Sequence, residues 1–185
     1  MTRDNKTHFR QKALQKLKKI SQRGYIIDKA ILNRLYDEIS QNRAKNIMLY
    51  IPLGIEVDIM PLIRVLRREK KLLYVPFMEG KSFRLVKYRL PLKVKKFGIK
   101  EPKFSKANIK NIDIAIVPIV ATDSTLRRVG FGKGMYDRFF EKNRKKIKKT
   151  IFVIRTLCYS PEIITQEHDI QADMVLSKEG IIRTK

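Results

Sequence analysis

The sequence contains little cysteine and no long apolar segment, and each shortage excludes a class of protein. Cys158 is the only cysteine among 185 residues, so no disulfide can form within the chain and a reducing environment is expected. No apolar run approaches the roughly 18 residues that a membrane-spanning helix needs. The opening MTRDNKTHFRQK lacks the apolar core of a signal peptide. These features predict a cytoplasmic chain with no membrane segment.

Acidic residues are also scarce. Lysine and arginine number 42 against 18 aspartates and glutamates, which gives a formal net charge of +24. Such an excess can indicate a nucleic-acid-binding module, because neutralising phosphates dominates that affinity. Here the excess is mostly lysine, it is spread along the chain, and no aromatic RNA-binding motif accompanies it. A solvated basic surface is therefore the favoured interpretation, with nucleic-acid binding as the alternative and a few cations reserved for an anionic ligand.

The pattern of apolar residues predicts the fold. The length suits a single domain over 1–185. Helical spacing predicts helices over about 5–20, 28–43, 59–70 and 135–143, the first basic and the second capped by Asp28. Short apolar runs predict strands over 46–51, 71–76, 83–88, 112–117, 150–155, 173–177 and 180–183, with a surface loop over 90–111. This alternation predicts an α/β fold, a three-layer Rossmann-like arrangement with helices on both faces of a mostly parallel sheet.

A glycine-rich segment, RVGFGKGMYD over 128–137, follows the most apolar predicted strand and opens a helix. Its glycines stand at alternate positions, Gly130, Gly132 and Gly134. They let backbone N–H groups approach an anion, and Arg128, Lys133 and the helix N-terminus add positive charge. The segment is not a Walker A loop, because glycine follows the lysine, nor a Rossmann fingerprint, because Met135 replaces the last glycine. It predicts a phosphate cradle, with a flexible turn as the alternative.

The stretch VPIVATDSTLRRVGFGKGMYDRFF, over 117–140, resembles the signature of the 5-formyltetrahydrofolate cyclo-ligase family. In that family a proline-containing strand end leads through Phe-Asp to Arg-Leu-Gly-x-Gly-x-Gly-Tyr-Tyr-Asp-Arg. The direct matches are Arg128, Gly130, Gly132, Gly134, Tyr136, Asp137 and Arg138. The departures are Met135 for the first tyrosine, Thr122 for the phenylalanine, Leu126 for a small residue, and Ile59 for a threonine of another segment.

Three further segments agree with the family in the expected order. Lys6 and Arg10 match a Lys-x-x-x-Arg pair that reaches the ATP phosphates, and their spacing places both on one helix face. Glu56 matches a glutamate in the loop after a strand, and Ile51 stands at the folate-contacting end of that strand. Asp169, in EHDIQAD, matches a region that supplies a magnesium ligand. The resemblance therefore extends over essentially the whole chain.

The resemblance implies ATP-dependent closure of 5-formyltetrahydrofolate to 5,10-methenyltetrahydrofolate, with phosphorylation of the formyl oxygen and release of ADP and phosphate. The implied catalytic cations are Arg128 and Lys133. The implied ATP-binding residues are Lys6, Arg10, Arg128, Gly130, Gly132, Lys133, Gly134 and Tyr136. The implied substrate contacts are Ile51, Glu56, Phe131, Met135 and Tyr136, and the implied Mg²⁺ ligands are Asp137 and Asp169.

Each of these residues also has a plainer interpretation. The cations of the first helix could form a solvated face, Asp137 could cap its helix or pair with Arg138, and Glu56 could be a surface carboxylate. His168 is interpreted as a surface residue and Cys158 as core. A divergent nucleotide-binding relative with another substrate stays open beside the cyclo-ligase. We expect a monomer that acts on small molecules.

Overall fold

The described part of the chain contains four α-helices, one short 3-10 helix (Arg144–Lys146) and twelve strands. The computed structural model describes residues 3–22, 24–95, 100–107 and 109–184. The helices are α1 (Arg3–Ser21), α2 (Gly24–Gln41), α3 (Met60–Arg68) and α4 (Met135–Asn143). The strands are β1 (Asn46–Met48), β2 (Leu72–Glu79), β3 (Ser82–Lys87), β4 (Lys93–Val94), β5 (Lys100–Glu101), β6 (Ile112–Pro118), β7 (Ala121–Asp123), β8 (Arg128–Val129), β9 (Ile147–Val153), β10 (Tyr159–Ser160), β11 (Met174–Ser177) and β12 (Gly180–Arg183).

The main sheet has seven strands in the order β12-β11-β9-β6-β1-β2-β3. The five inner strands pair in parallel, and the two edge strands are antiparallel to their neighbours. The parallel core agrees with the prediction. It brings the carboxyl ends of β1, β2, β6 and β9 to one edge of the sheet.

Apolar side chains of the sheet alternate between two clusters, one on each face. In β6, Ala115 and Val117 join the cluster that includes residues of α1 and α4. Ile114 and Ile116 join the opposite cluster, which includes residues of α2 and α3. This alternation is the period of an extended strand buried on both faces. The predicted three-layer arrangement is confirmed.

Several details differ from the sequence-based expectation. Asp28 is not an N-cap: α2 already begins at Gly24, and Asp28 lies buried inside it. The strand after α2 ends at Met48 rather than at residue 51. A small sheet in the order β10-β7-β8 was not expected, because its strands have only two or three residues.

The segment over 90–111 is not wholly irregular. It contains the short β4–β5 ladder, and Glu101 is buried where its carboxylate accepts a hydrogen bond from the Met78 backbone N–H at 2.9 Å. Positions 96–99 and 108 of this segment lie outside the described residues. Across the described ranges, none of the helices is both long enough and apolar enough to cross a membrane.

Candidate functional site

The glycine segment links β8 to α4, beside the end of β6. Gly132 and Gly134 adopt φ values of 89° and 61°, in the left-handed region where glycine is favoured. Gly130 is required for space instead, because a Cβ there would lie 2.1 Å from Nη1 of Arg128. The predicted start of the helix at Met135 is confirmed. The segment therefore forms a tight turn directly before a helix N-terminus.

One side of this turn faces a polar cavity of about 390 Å³. Its walls come from α1, the glycine segment and the loop over 162–169, and its lining includes Lys6, Arg10 and Arg128. The three glycines of the segment also line it. Three cationic side chains and a helix N-terminus meet in this cavity, which suits a bound anion.

Two cations of α1 are held in place by the structure. Arg10 donates its Nε–H to the carbonyl of Gly130 at 2.8 Å, which joins α1 to the glycine segment. Lys6 Nζ lies 2.5 Å from Oδ2 of Asp169. The predicted one-face arrangement of these two residues is thus observed, and both line the polar cavity.

The carboxylates of Asp137 and Asp169 also line the polar cavity. Asp169 is buried, and its Oδ2 accepts the Gln166 N–H at 2.8 Å besides the Lys6 contact. Asp137 Oδ1 faces the backbone N–H of Ile170 at 3.5 Å, so the two carboxylates belong to adjoining parts of the site. Among described residues, no group of three or more His, Cys, Asp or Glu side chains is arranged to hold a metal. Two carboxylates beside an anion pocket fit Mg²⁺, which takes its remaining ligands from water and phosphate oxygens.

The other side of the turn faces an apolar cavity of about 220 Å³. Its walls come from the loop after β1, the β2–β3 hairpin and the start of α4. The predicted substrate contacts Ile51, Glu56, Phe131, Met135 and Tyr136 all line it. A largely apolar cavity with few polar groups is typical of a site for a flat organic ligand.

Two predicted ATP-binding residues line the apolar cavity rather than the polar one. Lys133 is exposed and lies at the wall of the apolar cavity, and Tyr136 lies there as well. The side chains that flank the glycines, Phe131, Lys133 and Met135, all line the apolar cavity, whereas the glycines line the polar one. The sequence places these residues next to the glycines, but it does not indicate which side each one faces.

Glu56 is the acidic group of the apolar cavity. Its Oε2 accepts the Leu53 backbone N–H at 2.8 Å. Burial raises the pKa of Glu56 to about 7, while the Leu53 hydrogen bond and the positive charges of Arg128 and Arg155 act in the opposite direction. This carboxyl can therefore exchange a proton near neutral pH.

Arg128 lines both cavities. Its Nε–H donates to the carbonyl of Pro118 at 3.1 Å, and its guanidinium lies 4.7 Å from the ring centroid of Tyr136. Burial lowers the pKa of the Arg128 guanidinium, and the negative charge of Asp137 opposes this most strongly. A buried cation thus stands where the two cavities meet.

Asp123 is a functional candidate that the sequence reasoning did not assign. Its carboxylate is fully buried and accepts hydrogen bonds from the backbone and hydroxyl groups of Thr125 and Thr165 and from the Ile164 N–H. Burial alone would raise the pKa of Asp123, but these hydrogen bonds lower it. Asp123 thereby fastens Ile164 and Thr165, which line the polar cavity. The match of Asp123 to the aspartate of the family's Phe-Asp pair was the available signal, but its partners Ile164 and Thr165 are about 40 residues away.

Comparison with known proteins agrees with this geometry. The model of the 5-formyltetrahydrofolate cyclo-ligase family matches residues 2–178. A 5-formyltetrahydrofolate cyclo-ligase from Haemophilus influenzae is 32% identical over 127 residues, covering 64% of this chain and 68% of that protein. One from Mycoplasma genitalium is 26% identical over 140 residues, covering 75% of each.

A solved structure extends the likeness to the fold. The NMR structure of Aquifex aeolicus 5,10-methenyltetrahydrofolate synthetase matches with a TM-score of 0.80 at 29% identity, covering 96% of this chain and 92% of that one. The family match spans the glycine segment, α1 and the loop over 162–169 together. The chain belongs to the 5-formyltetrahydrofolate cyclo-ligase family.

Proposed function

We propose that this chain catalyses the ATP-dependent cyclisation of 5-formyltetrahydrofolate to 5,10-methenyltetrahydrofolate, with release of ADP and phosphate. The observation that carries the proposal is the position of Arg128, a buried cation shared by a polar cavity and an apolar cavity. A group transferred from one cavity to the other would therefore lie close to this guanidinium. The names of the related proteins support a reaction that connects 5-formyltetrahydrofolate to 5,10-methenyltetrahydrofolate, and the residues around the two cavities support the proposed roles.

The polar cavity takes the triphosphate of ATP in this proposal. Lys6 and Arg10 approach from α1, and Gly130, Gly132 and Gly134 line the same space. Positioned cations and N–H groups stabilise a transferring phosphoryl group without covalent participation of the protein. Their fixed geometry also orients the terminal phosphate toward Arg128.

Asp137 and Asp169 would hold a Mg²⁺ in this cavity. Because Oδ2 of Asp169 already accepts two hydrogen bonds, its other oxygen is the better ligand. When bound, Mg²⁺ neutralises charge on the phosphate oxygens and so favours their approach to an electron-rich nucleophile. The negative charge of the two aspartates otherwise offsets part of the positive charge around them.

The apolar cavity takes the pterin ring of the folate substrate. Ile51, Phe131 and Met135 supply apolar contact, and Tyr136 supplies an aromatic edge. Glu56 is the acceptor for the N–H groups on the polar edge of the pterin. Ionised Glu56 accepts two such hydrogen bonds, so substrate binding favours loss of its proton.

The proposed reaction has three steps: phosphorylation of the formyl oxygen, ring closure and loss of phosphate. The formyl oxygen attacks the terminal phosphorus of ATP, and the bond from that phosphorus to the ADP oxygen breaks. N10 of the folate attacks the activated formyl carbon and loses its proton to solvent. The carbon–oxygen bond breaks with its electron pair on the departing phosphate, which leaves the N5–CH–N10 amidinium of the product. Arg128 stabilises the charge of the phosphoryl group in the first step, and Lys133 contributes from the folate side.

The test is the absorbance of methenyltetrahydrofolate formed by purified protein from 5-formyltetrahydrofolate, ATP and Mg²⁺. The expected result is product formation that requires all three additions and releases one ADP for each product molecule. Product formation without ATP would contradict the phosphorylation step. Folded protein that binds nucleotide but forms no product would instead indicate a relative with another substrate.

A further inference from the structure

Arg138 joins two segments that both line the apolar cavity. It stands in the first turn of α4, and its Nε–H donates to the carbonyl of Lys81 at 2.7 Å. Its Nη2 donates to the carbonyl of Lys133 at 2.5 Å and also to Lys81. Lys81 lies in the turn of the β2–β3 hairpin, and Lys133 lies in the glycine segment. One guanidinium therefore bridges the hairpin to the glycine segment.

Both bridged segments form the walls of the site. The hairpin contributes Met78 and Phe83 to the apolar cavity. The glycine segment contributes Phe131 and Met135 to the same cavity, and its glycines line the polar one. A change in the distance between hairpin and glycine segment would therefore change the width of the apolar cavity and the position of its contents relative to Arg128.

The placement of Arg138 is unfavourable for the helix itself. A cation in the first turn opposes the helix dipole, which prefers negative charge at that end. Within the described residues, no carboxylate comes within ion-pair distance of Arg138. Helix stability and an ion pair are thus poor explanations for this arginine, and its backbone-carbonyl partners are the better one.

Gly134 makes room for the bridge. A Cβ at Gly134 would lie 2.8 Å from Nη1 of Arg138. The rings of Phe83 and Tyr136 also touch, edge to face with centroids 5.0 Å apart, so an apolar contact accompanies the polar one between the hairpin and α4. A ring contact is compatible with a range of separations and tilts, whereas the three hydrogen bonds to two carbonyls fix a direction and a distance.

We propose that Arg138 is a positioning residue that fixes the spacing between the β2–β3 hairpin and the glycine segment, and thereby aligns the contents of the apolar cavity with Arg128. This inference rests on the proposed function for its effect on rate, but its structural part does not. Arg138 acts through the two backbone segments and has no direct role in the chemistry.

The experiment compares Arg138→Ala with wild type by steady-state kinetics and by amide hydrogen exchange. We expect kcat to fall about 10- to 100-fold while KM for each substrate changes less than about threefold, because misalignment costs rate more than binding. Added methylguanidine should restore part of kcat. Amide exchange should become about tenfold faster over 80–82 and 130–135, since these segments lose their bridge. Arg138→Lys, which keeps the charge and a single donor nitrogen, should lie between wild type and Arg138→Ala.

Arg84→Ala is the matched control, because Arg84 is an exposed arginine of the same hairpin that pairs with Glu79. It should leave kcat and the exchange rates within about twofold of wild type. Unchanged exchange and unchanged kcat in folded Arg138→Ala or Arg138→Lys would overturn the proposal. Faster exchange in both segments, with no product from any variant or wild type, would support the positioning role and reject the proposed reaction instead.

Discussion

Two arginines are equally buried in this protein, and their surroundings differ. Arg128 and Arg155 each expose 6% of their surface. Arg155 donates Nε–H and Nη2–H to the two carboxylate oxygens of Asp28, both at 2.8 Å, and Nη1–H to the carbonyl of Gly54 at 3.1 Å. Arg128 has a carbonyl and an aromatic ring as partners, and no described carboxylate lies within ion-pair distance of it.

The difference separates a structural cation from a functional one. A buried charge is costly unless an opposite charge and hydrogen bonds compensate it. The charge of Arg155 is compensated within the fold by the forked geometry that arginine and carboxylate share. The charge of Arg128 is compensated only in part, and it faces a cavity. An anionic ligand in that cavity would compensate the rest of the charge of Arg128.

The largest effect should follow from Arg128→Met. Removing a cation that stabilises a transferring phosphoryl group should lower kcat/KM by about 10³-fold. The free energy of unfolding should change by less than about 1 kcal/mol, because an apolar side chain of similar length replaces a poorly compensated buried charge. Product formation measured by absorbance and urea unfolding of the same preparation test both parts.

A loss of several kcal/mol in unfolding free energy, with full activity in the folded fraction, would place Arg128 in the same structural class as Arg155. Arg128→Lys serves as the companion variant, since it keeps the charge and loses the planar donor group. It should recover only part of the rate.

Arg155→Met should show the opposite result. It leaves Asp28 buried without its charge partner, so the free energy of unfolding should fall by about 3 kcal/mol or more. The double variant Asp28→Leu with Arg155→Met should regain much of that loss, because no isolated charge remains. Urea unfolding measures the change in unfolding free energy, and kcat per folded molecule should stay within about threefold of wild type. If Arg155→Met lost no more unfolding free energy than Arg128→Met, the distinction between a structural and a functional arginine would be wrong.

Local patterns were sufficient to predict the glycine segment and its helix. An apolar run ended by Pro118 gave β6, and glycines at alternate positions gave the turn, with α4 beginning at Met135 as expected. The alternation of apolar strands and helices gave the layers. These features depend on neighbours within a few residues, which a sequence displays directly.

Features that depend on distant partners could not be predicted. The preference of aspartate for helix N-caps predicted that Asp28 begins α2. Instead Asp28 lies inside the helix and pairs with Arg155, which is 127 residues away. The anchoring of Thr165 by Asp123 spans 42 residues. The side of the turn on which Lys133 lies depends on backbone angles at its flanking glycines. In each case the deciding interaction is formed only when the chain has folded.

A glycine lies against each of these two buried arginines, and substituting the two glycines tests whether the arginines have different roles. A Cβ at Gly130 would lie 2.1 Å from Arg128, and one at Gly24 would lie 2.8 Å from Arg155. Gly130→Ala should lower kcat about 10- to 100-fold by displacing a group from its productive position. Gly24→Ala should instead lower the unfolding free energy by about 1–2 kcal/mol through overpacking.

Gly54→Ala is the control for both glycine variants, because no atom lies within 4 Å of the added Cβ position. It should leave rate and stability close to wild type. Steady-state kinetics and urea unfolding measure kcat and the unfolding free energy of the three variants. An equal loss of kcat in Gly24→Ala and Gly130→Ala would argue against separate roles for the two arginines.

The smallest effect concerns Glu56, whose pKa both arginines lower while burial raises it to about 7. Because the folded state holds this proton more tightly than the unfolded state, the unfolding free energy should decrease as pH rises from the ordinary value of 4.5 to about 7. The KM for 5-formyltetrahydrofolate should also decrease as the pH rises, by less than about tenfold between pH 6 and that pKa, because the ionised carboxylate accepts the pterin N–H groups.

Glu56→Gln should remove this contribution to both pH dependences, since the amide does not titrate in this range. Arg128→Met should shift the midpoint for folate binding, followed by ligand fluorescence, to higher pH, and Arg155→Met should shift it less. The reason is that Arg128 has the larger electrostatic effect on this carboxyl, while the charge of Arg155 is compensated by Asp28. An equal shift in the two variants would mean that Glu56 does not distinguish the compensated cation from the uncompensated one.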